Sequence, residues 1–208
     1  MKAVIYTGGT ALGNEVAEEL KTLSWDVVVY EKKEDIPESV SDEPIELLLL
    51  TGGNGEAIAK TDGVIGTEHD YDAISAYLAD QMTLRYDLIN KYMPALNKGT
   101  GKRIGFISYR YASVSDNKDT QDFAIHMDAA GMSMQAKMVH EKYRLQDMEN
   151  NFTVRYFAAE VCPEERKKGI SAAQYMLMNF SRDLRYDPRH YEENHLRMRD
   201  HKFIQIPW

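Results

Sequence analysis

Short apolar runs closed by glycine alternate with helical spacing along this chain. Lys2 to Tyr6 is a run rich in β-branched residues that ends at Thr7-Gly8-Gly9-Thr10, which predicts a strand buried on both faces. Leu12, Val16, Leu20 and Leu23 then recur at helical intervals, and Val27 to Tyr30 is a second apolar run. Strand, glycine turn, helix and strand in that order predict a βαβ unit with two parallel strands.

Residues 31–46 break the pattern. EKKEDIPESVSDEPIE carries seven acids, two lysines and two prolines and reads as a solvated connection, too short for a helix, a strand and another helix. Leu47 to Leu50 predicts a third buried strand, closed by Thr51-Gly52-Gly53-Asn54-Gly55. Downstream the spacing predicts a helix over 71–92 stopped by Pro94, a strand over 103–108 and a helix over 119–148. A strand over 152–157 and a helix over 171–184 follow. There is no internal repeat and no low-complexity tract. The alternation predicts one α/β domain over 1–208, a doubly wound, mainly parallel sheet of about six strands between two helical layers.

The glycines sharpen this picture. Eight of the thirteen lie at or before position 66, gathered after the first and third strands. In an open α/β sheet those are carboxyl ends of strands, where ligands bind. Composition then removes whole classes of function. With 43% hydrophobic and 28% charged residues the chain has the make-up of a folded protein, and its net charge of −8 argues against nucleic acid or an anionic membrane as partner. No apolar run is long enough to span a bilayer. The N-terminus reads as a strand rather than a cleavable signal, and the single cysteine, Cys162, fits a reducing compartment. The expected location is the cytoplasm.

Five segments together resemble the short-chain dehydrogenase/reductase (SDR) family of Rossmann-fold oxidoreductases. TGGTALGNEVAEEL resembles its opening glycine motif, and LLLLTGGNG occupies the place of its NNAG motif. The spacing from Gln81 to Met93-Pro94, followed by GKRIGFISYRYAS, resembles its asparagine helix and serine strand. FAIHMDAAGMSMQAK resembles AYxxSKAAL, and FIQIPW resembles the last strand of small bacterial members. The resemblance spans nearly the whole chain and implies a Rossmann-like sheet, an NAD(P) cofactor and a homodimer or homotetramer built on the paired long helices.

The departures fall on the chemistry. The resemblance sets Ile125 at the family's catalytic tyrosine, Ala129 at its lysine, Tyr109 at its serine (Ser108 precedes it) and Gln81 at its asparagine. Ala158-Ala159-Glu160 replaces the proline-glycine turn, and the third strand is missing from the 32–44 connection. Reducing a carbonyl requires a proton donor at the developing alkoxide, and losing acid catalysis costs about 10²–10⁴-fold. The expected function is therefore an NAD(P)-binding-type protein with a degenerate catalytic site, a ligand sensor or an oligomeric partner. The alternative is an active NAD(P)-dependent oxidoreductase that uses a relocated acid, Tyr109 or Tyr111, with Arg110 nearby.

For the cofactor, Gly8, Gly9, Thr10 and Gly13 form the candidate phosphate turn, one residue shorter than the family's, with Ala11 where a glycine is expected. A tight strand-to-helix turn is the competing reading. Glu31 can accept from an adenine ribose, whereas Lys32 and Lys33 can meet a 2′-phosphate, so the choice between NAD and NADP stays open. Thr51, Gly52 and Gly53 complete the candidate set. His126 and Asp128 on the catalytic-type helix read as surface or interface hydrogen-bonding residues. Met127, Met132, Met134 and Met138 read as an interface or a core face. RDLRYDPRHYEENHLRMRDHK brings His190, Glu193 and His195 together but lacks the paired spacing of a zinc helix, so no metal is expected.

Overall fold

The structure is a computed structural model that describes residues 1–52, 71–108, 112–115, 123–146 and 152–158, with positions 174, 176, 177, 196, 198–200 and 205–207. The strands are β1 (Lys2–Tyr6), β2 (Asp26–Tyr30), β3 (Leu47–Thr51), β4 (Arg103–Ser108), β5 (Thr153–Ala158), β6 (Met198–Asp200) and β7 (Gln205–Ile206). They form one sheet in the order β2-β1-β3-β4-β5-β6-β7. Every neighbouring pair is parallel except β6 with β7. The helices are α1 (Ala11–Thr22), α2 (Tyr71–Lys98) and α3 (Phe123–His140), the last running into a π-helical turn over Glu141–Gln146.

Period-two alternation along buried strands builds the two layers. Val4 and Tyr6 of β1 and Leu48 and Leu50 of β3 pack in one cluster with Leu88, Tyr92 and Met132 of α2 and α3. Ala3, Ile5, Leu47 and Leu49 point the other way, against Leu12, Val16 and Leu20 of α1. Both faces of β1 and β3 are covered, which is why these strands read as unbroken apolar runs.

The structure corrects several boundaries. Pro94 lies inside α2, which continues to Lys98. The last turn is held from outside: Ala95 and Leu96 are buried, and the Ile45 N–H donates to the Ala95 carbonyl at 3.2 Å. That packing offsets the roughly 3 kcal/mol a helix-interior proline costs. Gly99 follows the last turn, and only glycine fits there because a Cβ would come within 2.0 Å of the Ile45 carbonyl oxygen.

The 31–46 connection is a strap rather than a free loop. Ile36 and Val40 pack against the α2 side of the core. Lys33 pairs with Asp80 at 2.6 Å, Lys98 pairs with Asp42 at 2.8 Å, and the Lys91 ammonium donates to the Pro37 carbonyl. Its only regular element is a 3-10 turn over Lys33–Asp35, so this connection adds no strand to β2, which is the last strand on that side among the described residues.

At the far side the parallel strand is β6, not the FIQIPW tail. Gln205 follows Asp200 too closely for a crossover, so β7 returns antiparallel. The helix over 119–148 starts being described at Phe123, and of 171–184 only 174, 176 and 177 are described.

Candidate nucleotide-binding site

The sheet reverses its winding between β1 and β3, and the carboxyl ends of strands at such a switch point are where open α/β sheets bind ligands. On the α1 side, Gly8 and Gly9 adopt φ of 58° and 67°, a left-handed turn that side chains disfavour. Thr10 caps α1: its hydroxyl accepts from the Gly13 N–H at 3.1 Å and donates to the Thr7 carbonyl at 2.7 Å. A Cβ on Gly13 would lie 2.7–2.8 Å from Thr7 atoms, so glycine lets α1 pack directly on the end of β1. The Gly13 amide is already bonded, whereas the other first-turn amides have no acceptor within the helix. The turn fits a phosphate or pyrophosphate.

Glu31 and Lys32, the candidate adenosine-end residues, follow β2 and are exposed. Their backbone N–H groups donate to the Asp35 carboxylate at 3.2 and 2.9 Å. Lys33 turns instead to Asp80 on α2. Thr51 sits at the end of β3, but its hydroxyl donates to the carbonyls of Tyr6 and Gly52, both at 3.1 Å, which clasps β3 to β1. Gly52 is half-buried beside Asp128, whose Oδ2 would lie 3.6 Å from a Cβ there. Gly53, Tyr109 and Tyr111 lie outside the described residues, as do His190, Glu193 and His195. Among the described residues no cluster of histidine, cysteine and carboxylate side chains can hold a metal ion.

On the other side of the sheet, α2 lays Tyr77, Gln81 and Arg85 in one stripe at helical spacing. Arg85 is fully buried. One guanidinium nitrogen, Nη2, donates to both carboxylate oxygens of Asp128 at 2.5 and 2.6 Å, and Nη1 donates to Gln135 Oε1 at 2.9 Å. Nε points at the Thr51 carbonyl at 3.4 Å. Asp128 is thus a core residue, not the surface or interface group expected from sequence, because Arg85 supplies its countercharge. Neither Arg85 nor Gln135 stood out in the sequence, although the four-residue spacing of Tyr77, Gln81 and Arg85 marks one helix face. Gln81 Oε1 is buried with no hydrogen-bond partner.

At the positions the resemblance gives to tyrosine and lysine, Ile125 is half-buried and Ala129 buried. The Ala129 carbonyl accepts from Ser133 Oγ at 3.2 Å and from Tyr156 Oη at 3.3 Å, and Ser133 Oγ bonds Tyr156 Oη at 3.0 Å. Burial pushes the Tyr156 phenol up to about 12, against the pull of its bonds to Ser133 and Ser108. Burial likewise raises Tyr6, partly countered by Gln81, and raises Tyr77. Each of these phenols is a weaker acid than in water. The residues of the β1–α1 turn therefore fit the phosphate end of a dinucleotide, and among the described residues neither Ile125 nor Ala129 offers a cation or an acid at the positions the resemblance gives to tyrosine and lysine.

Known structures agree with this architecture. A carbonyl reductase from Pseudomonas aeruginosa PAO1 superposes with a TM-score of 0.67 at 12% identity, covering 100% of this chain and 99% of that one. Its complex with NADP gives 0.61 at 12% identity, with the same coverage. The carbonyl reductase Sniffer of D. melanogaster gives 0.65 at 11%, again covering 100% and 99%. No protein-family model and no curated protein matches the sequence. The chain has the Rossmann-like α/β fold of the short-chain dehydrogenase/reductases. Among the described residues no helix is long and apolar enough to cross a membrane.

Proposed function

We propose that this chain binds a nucleotide of the NAD(P) type at the β1–α1 turn and acts as a ligand sensor or oligomeric partner rather than as a carbonyl reductase. Bound NAD(P)H supplies a hydride, and a reductase must add a proton and a fixed ribose to use it. The observation that carries the reading is Ala129: a buried methyl whose carbonyl is capped by Ser133 and Tyr156, beside an aspartate locked on Arg85. Gly8, Gly9, Gly13 and the Thr10 cap support retained phosphate binding, and similar folds bind NADP.

The same reading makes the protein a homodimer or homotetramer. Met127, Met134 and Met138 are exposed on the outer face of α3, where Met138 accepts from the Tyr86 hydroxyl at 3.4 Å. Met82 adds to this apolar surface from α2.

Calorimetric titration with NADH and with NADPH, followed by a carbonyl-reduction assay, tests the proposal. Micromolar binding without turnover is the expected result. Reduction at an ordinary enzymatic rate overturns the non-catalytic reading, and absence of heat at millimolar nucleotide overturns the nucleotide-binding one.

A further inference from the structure

β2 closes one side of the sheet, and among the described residues no strand lies on its outer edge. The hydrogen bonds show what that edge offers. The Asp26 N–H donates to the Met1 carbonyl, and the Thr7 N–H donates to the Tyr30 carbonyl. Residues that bond one neighbour alternate with residues that face away. Asp26, Val28 and Tyr30 therefore bond β1, while Val27 and Val29 each turn an N–H and a C=O outward. The next residues in the outward series are already committed: the Trp25 N–H donates to the Leu20 carbonyl at 3.1 Å, and the Glu31 N–H donates to the Asp35 carboxylate. The free edge is thus two residues, placed symmetrically about Val28.

We infer that this edge pairs antiparallel with β2 of a second copy, about a two-fold axis through Val28. In that register Val27 faces Val29 of the other copy, and every outward N–H and C=O on both strands finds a partner. An axis through Val27 or Val29 calls on the Trp25 or Glu31 N–H, which are taken. Charge favours the same arrangement. Asp26 falls diagonally beside Lys32 of the other copy, twice by symmetry, whereas parallel pairing sets like charge against like. Val27 and Val29, half-buried against the α1 layer, gain cover as β-branched cross-strand pairs. Asp26–Tyr30 also contains none of the proline, glycine or lysine that guards a free edge. A single sheet then runs through both copies.

Cross-linking of the full-length protein tests the register. In a Cys162→Ser background, Val28→Cys places two thiols on a non-hydrogen-bonded pair with Cα atoms about 4.5 Å apart, within disulfide range. Mild oxidation should convert most of this variant to a covalent dimer. Asp26→Cys, about 14 Å from its counterpart, should give only background. Association measured by light scattering is an independent readout that does not depend on the cysteine variants folding. Asp26→Lys should weaken it about tenfold, and adding Lys32→Asp should restore it. A dimer without the Val28→Cys cross-link, a monomeric parent, equal cross-linking at both positions or failure of the charge swap to restore association overturns the inference.

Discussion

Arg85 of α2 and Asp128 of α3 form an ion pair with no more than 3% of either side chain exposed, and Gln135 and the Thr51 carbonyl each accept a further guanidinium N–H. The pair joins the two long helices to the end of β3. A buried pair is weak evidence for stability as such, but breaking it leaves a bare charge in the core. Arg85→Met alone should cost about 3–5 kcal/mol. Arg85→Met combined with Asp128→Leu should recover most of that loss. Urea unfolding of both variants checks this, and simple additivity would show that the two side chains are not coupled.

Gly13 should tolerate no side chain. Gly13→Ala drives a Cβ into Thr7 and should cost about 1–3 kcal/mol while abolishing the heat of nucleotide binding. Gly131, in α3, has nothing within 4 Å of a built Cβ, so Gly131→Ala should leave binding unchanged and the melting temperature equal or higher.

Alkali should destabilise the fold. The folded-state values of Tyr6, Tyr77, Tyr92 and Tyr156 lie above the ordinary 10, so above pH 10 the unfolded chain loses these protons first. Stability is then full below about pH 10 and falls as pH rises towards 12, by up to about 1.4 kcal/mol per unit for each such group. Tyr156→Phe should make the fall of melting temperature between pH 9 and 11 shallower. An unchanged slope would mean that this phenol is not held protonated by the core.

Charge on the outer face of α3 should cost assembly, not folding. Met134→Asp or Met138→Asp is expected to lower the mass seen by light scattering with little change in melting temperature, because both side chains are already more than half exposed. An unchanged mass for both removes that face as an interface.

The sheet was legible because its central strands are covered on both sides. Leu47 to Leu50 and Lys2 to Tyr6 announce themselves by composition, and the glycine turn by its spacing. The missing strand was legible too, from the length of the 31–46 connection. What the pattern hid depends on contacts distant in sequence. Pro94 lies inside a helix only because Ile45 packs against the following turn, and a charged connection becomes a strap only because Ile36 and Val40 find α2. The ion pair at the site was invisible for the same reason: an arginine and an aspartate on two helices read as solvated until the fold brings them together. Tyr109 and Tyr111, the candidate relocated acids, fall outside the described residues.

The methionines of α3 differ in their access to chemistry. Met127, Met134 and Met138 present their thioethers to solvent, whereas Met132, on the opposite side of the same helix, is sealed against the sheet. In the free protomer an oxidant therefore meets three sulfurs on one surface and converts an apolar stripe into polar sulfoxides without entering the core, whereas assembly through this face would shield them. Met132 stays reduced for as long as the chain stays folded, so the helix carries its own reference for telling surface damage from unfolding.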